Sequence, residues 1–250
     1  MSRIIGVLNY KGGTGKTTTV VNLAAGLALR GARVLCVDLD PQNSLATSLG
    51  VPCTHSLTHL LLGQAELQDC IVQARDNLDL IASDGDLLQA EGKLWRMDDD
   101  QGAQQVLTNE MRGINGYDYI FLDYPPSASL LTESGLCYTQ ELVVPVSMNY
   151  LALIGVRQVI QTLKTVGRVA EHRIRLCLVV PTFYYARLRK DREIMESLRH
   201  HSGDRVAAPI RASVRLAEAP SHQMSVYEYA PCSSGAVDYA NLVERVANDG

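Results

Sequence analysis

Short apolar runs alternate along the chain with stretches in which apolar side chains recur at helical spacing. An apolar run with few charges predicts a buried strand, and recurrence every three or four residues predicts a helix. The runs predict strands at 4–8, 32–38, 78–83, 117–123, 141–147 and 174–180. The helical pattern predicts helices at about 16–30, 86–97, 102–112, 130–138, 152–169, 189–200 and 235–247.

The order of these elements predicts the fold class. Strands that are apolar on both faces and alternate with helices form a mostly parallel sheet, because helices must cover both faces. We therefore expect a doubly wound α/β fold with helices on both faces of the sheet. No Gly-, Ser- or Pro-rich linker interrupts the pattern, so we expect one domain over residues 1–250. Ligands of such folds bind at the carboxyl ends of the strands.

Composition and charge narrow the class of protein. Hydrophobic residues make up 46% of the chain and charged residues 20%, which is ordinary for a soluble globular protein. The sequence shows neither a secretory leader nor a membrane-spanning run, so we expect a cytoplasmic protein. Six scattered cysteines without a C-x-x-C pair are typical of buried thiols. The net charge is -4, yet residues 151–215 hold 13 Lys and Arg against 5 Asp and Glu, so one segment is basic.

The stretch KGGTGKTT, residues 11–18, has the features of a phosphate-binding loop. It follows a predicted strand and opens a predicted helix, which is the context that the motif requires. Glycines let backbone N–H groups approach phosphate oxygens, and the start of the helix adds partial positive charge. We expect Lys16 to reach the β- and γ-phosphates and the Thr17 hydroxyl to bind Mg²⁺. The expected contacts of this P-loop NTPase with a nucleoside triphosphate are Gly12, Gly13, Thr14, Gly15, Lys16, Thr17 and Thr18.

The front of the loop departs from the common pattern G-x-x-x-x-G-K-[ST]. Tyr10 stands where that pattern has glycine, and a second lysine, Lys11, follows it. The loop matches the deviant form K-G-G-x-G-K-[ST] instead, and in this it resembles the ParA/MinD family of P-loop ATPases. The resemblance implies that ATP is the nucleotide and that Lys11 contacts the phosphates held by the other subunit of an ATP-bound homodimer. A solvated Lys11 without a role is the alternative.

Two carboxylate motifs follow predicted strands. VDLDPQ places Asp38 and Asp40 after the second strand, and YDYIFLDYPPS places Asp123 at the end of a later one. They resemble switch I (D-x-D-P-Q) and switch II (D-x-P-P) of the same family. The resemblance implies that Asp40 positions the attacking water near Mg²⁺, that Asp38 supports the loop, and that Asp123 holds Mg²⁺ through a water. The other predicted switch residues are Gln42, Pro125 and Pro126.

Simpler interpretations of these motifs stay open, and one departure stands out. The aspartate pair could cap a turn, and the two prolines could end a strand. The family often follows the glutamine of switch I with Gly-Asn-Ala, whereas Asn43, Ser44 and Leu45 follow here. A switch that moves differently is therefore expected.

The second half of the chain continues the resemblance. VVPVSMNYLALIGV is similar to the family's P-V-x-x-x-x-x-A-L-x-G stretch, and PIRASVRLAEAPSH is similar to its R-x-x-x-R-L-x-E-A-P-S stretch. Together with SSGAVDYANLVERV they favour the ParA branch over MinD. Pro181 and Pro209 stand where relatives line the adenine pocket. The acidic tail lacks the basic amphipathic helix of a membrane-binding relative, so no membrane binding is expected.

The resemblance also suggests what the basic segment does. ParA relatives bind double-stranded DNA without sequence preference once the ATP dimer has formed, and a ParB-like activator protein on the cargo stimulates hydrolysis. We therefore predict a nucleoid-associated ATPase that positions a chromosome, a plasmid or a protein organelle. The predicted DNA contacts are Arg187, Arg189, Lys190, Arg192, Arg211 and Arg215.

Two other functions stay open. One is a nucleotide switch whose basic patch binds a protein instead of DNA. The other is a metabolic or electron-transfer relative, in which cysteines such as Cys137 would meet at a dimer axis; Cys137 has no clear partner in the sequence.

Overall fold

A parallel sheet organises the protein. The computed structural model describes residues 2–94, 100–169 and 172–249, and within them seven strands form one sheet. The strands are β1 (Arg3–Val7), β2 (Val34–Asp38), β3 (Ile71–Arg75), β4 (Leu78–Ile81), β5 (Tyr119–Asp123), β6 (Glu141–Ser147) and β7 (Arg175–Thr182). Their spatial order is β3-β4-β2-β5-β1-β6-β7, and all neighbours are parallel except β3 and β4. The predicted fold class is confirmed.

Helices cover both faces of this sheet. They are α1 (Lys16–Ala28), α2 (Ser44–Leu49), α3 (Leu57–Leu61), α4 (Leu87–Leu94), α5 (Asp100–Glu110), α6 (Leu130–Tyr138), α7 (Ala152–Val169), α8 (Arg189–Ser202), α9 (Val214–Glu218), α10 (Val226–Tyr229) and α11 (Ser234–Asn248). Short 3₁₀ turns lie at Leu67–Cys70, Gly203–Arg205 and Ala219–His222. Within the described ranges, no helix combines the length and apolarity needed to span a membrane.

Two hydrophobic cores explain why the strands are apolar on both faces. In and just after β1, Ile4 and Leu8 join the core beneath α4 to α8, whereas Ile5 and Val7 join the core beneath α1 and α11. Successive strand residues point to opposite faces, so a strand between two helical layers needs apolar side chains at every position. The sheet is thereby fixed from both sides.

The predicted elements agree with the structure wherever the apolar pattern is long. Helices at 130–138 and 152–169 have the predicted bounds, and all six predicted strands exist. Residues 95–97 of the predicted helix 86–97 lie outside the described residues. The sequence pattern missed β3, because this antiparallel edge strand is only half-buried and so lacks an apolar signature. It also missed the short helices α2, α3, α9 and α10.

The parallel register brings chemically important strand ends together. β1 lies between β5 and β6, and Val7 pairs with Asp123. On the other side of β5, Asp38 of β2 pairs with the same Asp123. The carboxyl ends of β1, β2 and β5 therefore meet at one edge of the sheet, where a ligand of this fold is expected.

At the amino ends of the strands, an ion-pair network joins β1, β6 and β7 to the last helix. The Glu141 carboxylate accepts hydrogen bonds from Arg3 Nε (3.1 Å) and Nη2 (2.8 Å), and pairs with Arg175 at 3.0 Å. Arg3 Nη1 also donates to the Val246 carbonyl at 2.6 Å, and Arg175 donates to that of Asp249 at 3.0 Å. Burial acts to raise the pKa of Glu141, but the two arginines outweigh it and lower that pKa.

We expect the substitution Glu141→Gln to lower the free energy of unfolding by about 2 kcal/mol at pH 7, since two arginines lose their charged partner. The native pKa of Glu141 lies below that of the unfolded chain, about 4.3. The stabilisation is therefore complete above the unfolded pKa and is lost as pH falls through the native pKa. Denaturant unfolding at pH 7 and in acid measures both effects.

Glu244→Gln is the matched control. Glu244 also pairs with an arginine, Arg30, at 3.0 Å, but its side chain is 62% exposed. Exposed pairs contribute little, so this substitution should leave stability nearly unchanged. Equal losses in the two variants would contradict the role assigned to the network.

Candidate nucleotide-binding site

The phosphate loop follows β1 and runs directly into α1. Gly13 and Gly15 adopt left-handed backbone conformations, with φ of 68° and 84°, which glycine reaches without a steric penalty. The first N–H groups of α1 have no intrahelical partners and point toward the space in front of the helix. The loop therefore presents a concave row of donors and partial positive charge to an anion.

Side chains from distant segments hold the loop in this shape. Thr182, at the end of β7, donates to the Thr14 carbonyl at 2.9 Å. Thr19 donates to the Gly15 carbonyl at 2.7 Å, and its hydroxyl lies 3.2 Å from that of Tyr239 in α11. The loop is thus tied to the sheet and to the last helix before any ligand binds.

Lys16 and two aspartates are the buried ionisable residues of the site. Lys16 is 8% exposed, and Asp38 and Asp123 are fully buried. Burial lowers the pKa of Lys16, while Asp123 and Asp40 oppose this effect. Burial also raises the pKa values of Asp38 and Asp123, and repulsion between the paired carboxylates raises that of Asp123 further. Like charges side by side in an apolar setting favour a site that receives a cation.

The chemistry of Asp123 fits a Mg²⁺ site. Both of its carboxylate oxygens are buried, and neither accepts a well-aligned hydrogen bond from a described residue. Buried acceptors of this kind need a partner, and a hydrated cation supplies donors. The described residues contain no group of three or more His, Cys, Asp or Glu that could hold a metal alone. A Mg²⁺ ion here would therefore depend on the Thr17 hydroxyl, water and the phosphates of a ligand.

The loop after β2 separates the roles of its two aspartates. Asp38 accepts hydrogen bonds from the backbone N–H groups of Asp40 and Leu45, both at 3.0 Å, so it holds the loop. Asp40 lines the cleft in front of the phosphate loop, and its carboxylate accepts from the Gln42 N–H at 3.1 Å. The Ser83 hydroxyl donates to the Asp40 carbonyl at 2.5 Å. Asp40 is thereby the aspartate of the pair that faces a ligand.

The backbone at residue 43 is one that asparagine tolerates. Asn43 has φ of 53°, in the left-handed region, and precedes α2. Glycine enters this region most readily, and asparagine is among the few other residues that tolerate it. Asn43 therefore adopts a conformation that glycine also reaches easily, and a different motion of this loop stays a prediction.

Two adjoining cavities lie over the loop. The first, about 310 Å³, is the phosphate cleft; its lining comprises Gly12, Gly13, Thr14, Gly15, Lys16, Thr17, Thr18, Asp40, Pro126 and Phe183. The second, about 260 Å³, is the side cavity; its lining includes Thr182, Ile210, Leu216, Ala217, Pro220 and Tyr239. Gly15, Thr18 and Phe183 line both. Because they share these residues, a phosphate chain in the first cavity could continue into a nucleoside in the second.

The residues predicted for the adenine pocket lie beside its lining rather than in it. Pro181 and Pro209 directly precede Thr182 and Ile210, which line the side cavity. The Pro181 carbonyl accepts from the Ile210 N–H at 2.8 Å and so joins the two segments. Of the prolines of switch II, Pro126 lines the phosphate cleft and Pro125 is buried behind it.

Sequence reasoning missed Phe183. Its side chain is 49% exposed, Phe183 lines both the phosphate cleft and the side cavity, and its φ of 55° is unusual for a bulky side chain. No motif marks this position, and its only sequence signal is that it follows β7, a strand whose end belongs to the ligand-binding edge. Strained backbone of this kind is common at functional sites.

The two residues at the front of the loop have different environments. Tyr10 is half-buried beside Thr162 of α7 and lines a cavity of about 300 Å³ between α6 and α7, and burial raises its pKa. Lys11 does not line the phosphate cleft, and in the described part of the chain its ammonium group has no hydrogen-bond or ion-pair partner. Tyr10 thus anchors the loop, whereas the charge of Lys11 stays available.

The six residues predicted to bind DNA are only partly free. Tyr184 pairs with Arg211 in a parallel bridge, which brings the two basic segments together. Most of the six have local acceptors: Arg189 pairs with Glu193, Lys190 with Asp191, Arg211 with Asp238, Arg215 with Glu218, and Arg192 donates to the Ala186 carbonyl. Arg187 is exposed, and no described residue forms an ion pair or hydrogen bond with its side chain.

Comparison with known proteins identifies the family. A family model described as an AAA domain matches residues 2–176. The chromosome-partitioning ATPase Soj of Thermus thermophilus is 40% identical over 245 residues, which cover 98% of this chain and 95% of the relative. This chain belongs to the ParA/Soj family of partition ATPases.

A second relative and a solved structure are also similar to this chain. The sporulation initiation inhibitor protein Soj of Bacillus subtilis is 35% identical over 256 residues, with 100% of both chains covered. A crystal structure of cobyrinic acid a,c-diamide synthase from Mycobacterium smegmatis with bound ATP analogue and magnesium is 29% identical, with a TM-score of 0.84 over 99% of this chain and 95% of that one. The similarity in sequence and in fold therefore extends over essentially the whole chain.

Proposed function

We propose that this ParA/Soj-family protein is an ATP hydrolase that forms a dimer around Mg-ATP, binds double-stranded DNA without sequence preference, and positions cargo. A ParB-like activator protein on the cargo would stimulate hydrolysis and release the dimer from DNA. The observation that carries this proposal is Lys11, whose charge lies outside its own phosphate cleft and has no described partner. A second subunit supplies the anion that such a lysine lacks.

The site has the groups needed for ATP hydrolysis. Lys16 and the loop N–H groups stabilise negative charge that develops on the γ-phosphate, and Asp40 lies in the cleft where it can position water. Asp38 keeps Asp40 in place through the two backbone hydrogen bonds that it accepts. An aspartate that only orients water is a modest catalyst, so turnover should be slow without an activator.

Magnesium completes this site as a cofactor. The homologous M. smegmatis structure contains an ATP analogue and magnesium. The buried oxygens of Asp123, which have the Thr17 hydroxyl near them but no well-aligned hydrogen bond, suit a hydrated cation. Thr17 would bind Mg²⁺ directly, and Asp123 through a water. When bound, Mg²⁺ neutralises charge on the β- and γ-phosphates.

Exposed apolar side chains support self-association. Tyr150 and Leu151 are 74% and 54% exposed directly before α7, and Tyr185 is 55% exposed before α8. The Lys190 ammonium donates to the Met148 carbonyl at 2.9 Å and ties these two segments to each other. Apolar patches of this kind mark interaction surfaces, and this one borders the ligand-binding edge of the sheet.

The basic segment supports binding to DNA phosphates. Two copies of the chain double a patch that each subunit carries only in part, which makes DNA affinity depend on the dimer. Phosphate contacts give affinity without sequence preference. Nucleoid association follows from this mode of binding.

A second function is favoured by the local ion pairs. Four of the six predicted DNA contacts already have acidic partners: Arg189, Lys190, Arg211 and Arg215. Such pairs reduce the net positive field of the patch. A nucleotide switch that recognises a protein through this surface, without binding DNA, is therefore the alternative function.

The dimer is tested by solution mass with Mg²⁺ and a non-hydrolysable ATP analogue, using light scattering after gel filtration. We expect twice the monomer mass for the wild type and the monomer mass with ADP. Lys11→Ala should bind the analogue but stay monomeric, because the charge that bridges the subunits is gone. Lys164→Ala removes an exposed lysine of α7 and is the control, which should dimerise normally. Full dimerisation of Lys11→Ala would overturn the trans contact.

DNA binding is tested by retention on duplexes of unrelated sequence over a range of salt concentrations. We expect binding with ATP, little with ADP, and a steep loss with salt. Arg187→Ala, which removes the unpaired arginine, should lower the slope of log affinity against log salt by about 1. Arg30→Ala removes an arginine outside the basic segment and should leave the slope unchanged. No salt-dependent binding in the ATP state would leave the protein-binding switch as the better proposal.

A further inference from the structure

The Pro-Val…Ala-Leu-x-Gly stretch, residues 145–155, does not line either cavity over the loop. It begins in β6 and ends in the first turn of α7. The structure places both ends of this stretch against one buried side chain, that of Asn9. The stretch therefore contacts the phosphate loop through Asn9.

Asn9 joins the loop to the stretch through two hydrogen bonds. Its Nδ2 donates to the Pro145 carbonyl at 2.7 Å, and its Oδ1 accepts from the backbone N–H of Lys11 at 3.0 Å. The side chain is 2% exposed. A carbonyl can only accept and an N–H can only donate, so this position needs a donor and an acceptor on one short side chain, and the amide supplies both.

Gly155 makes room for this arrangement on α7. A Cβ atom at this position would lie 3.1 Å from Asn9 Oδ1 and 3.3 Å from its Nδ2. These distances are shorter than ordinary van der Waals contact, so any larger residue would push on the amide. Pro145 and Gly155 thus contact the Asn9 side chain from two sides.

We propose that Asn9, seated between Pro145 and Gly155, is a positioning residue that fixes the backbone of Lys11 so that its ammonium group reaches the nucleotide of a second subunit. This inference rests on the proposed function. Tyr10 holds the intervening residue on α7, so the chain just before the glycines is anchored on both sides. Because the Lys11 backbone is ordered beforehand, less conformational entropy is lost when the subunits meet.

The chain contains a matched control for Asn9. Asn22 of α1 is also buried, at 3% exposure; its Nδ2 donates to the Thr18 carbonyl at 2.8 Å and its Oδ1 accepts from the Val226 N–H at 2.8 Å. Replacing either asparagine by alanine removes the same two hydrogen bonds and the same volume. A general loss of packing would therefore affect both variants alike, and only Asn9 contacts Lys11.

The experiment compares Asn9→Ala, Asn9→Asp and Asn22→Ala in three measurements: melting temperature, ADP binding by the monomer, and self-association with Mg²⁺ and a non-hydrolysable ATP analogue. We expect the two alanine variants to melt at similar temperatures and to bind ADP like the wild type. Both Asn9 variants should self-associate about tenfold more weakly or worse, because a lost hydrogen bond leaves the Lys11 backbone or the Pro145 carbonyl unpaired. Asn22→Ala should self-associate normally.

Gly155→Ala reaches the same contact from α7 without changing the loop. It should weaken self-association several-fold while ADP binding stays unchanged, and it decides the question if the Asn9 variants do not fold. Normal self-association of Gly155→Ala together with that of any folded Asn9 variant would overturn the inference, as would equal weakening in Asn22→Ala.

Lys11→Ala separates this inference from the function on which it rests. If Lys11→Ala loses self-association and the Asn9 variants keep it, the dimer stands and the positioning role is wrong. If Lys11→Ala itself dimerises normally, the trans contact fails, and the positioning role fails with it.

Discussion

Lys11 carries a positive charge that no described residue of its own subunit neutralises. The association of two subunits that we propose depends on this unpaired charge. Lys16 is close to Lys11 in sequence but has a different environment. It is buried and lies near Asp123 and Asp40, so its charge is balanced within its own site. In the function that we propose, the anion for Lys11 is a triphosphate held by a second subunit, so nucleotide binding would control whether two subunits associate.

The fold makes this control possible by bringing three strand ends to one edge. β1 delivers the loop, β2 delivers Asp38 and Asp40, and β5 delivers Asp123. Segments after β6 and β7 border the same edge, and they carry the exposed apolar side chains and the basic patch. The segments to which we assign nucleotide binding, self-association and DNA binding are therefore neighbours, so under the proposed function a change in one would reach the others over a short path.

Sequence reasoning succeeded where one residue type has one physical reason. Gly13 and Gly15 have the positive φ that their motif predicts, and Lys16 and Asp123 stand where it predicts them, at the start of α1 and at the end of β5. It failed where function depends on an environment that the fold creates. Phe183 has no motif, Asn9 becomes meaningful only when Pro145 comes within hydrogen-bond reach, and the acids that pair with Arg211 and Arg215 could not be assigned beforehand. The half-buried β3 gave too weak a pattern to be seen.

The most direct test of the central claim is steady-state ATP hydrolysis by a mixture of two inactive variants, Lys11→Ala and Lys16→Ala. In a mixed dimer, the nucleotide held by the Lys11→Ala subunit faces the intact Lys11 of the Lys16→Ala subunit. We expect the mixture to hydrolyse ATP faster than the sum of the two variants measured separately. A rate equal to that sum would contradict the claim that Lys11 acts across the subunit interface.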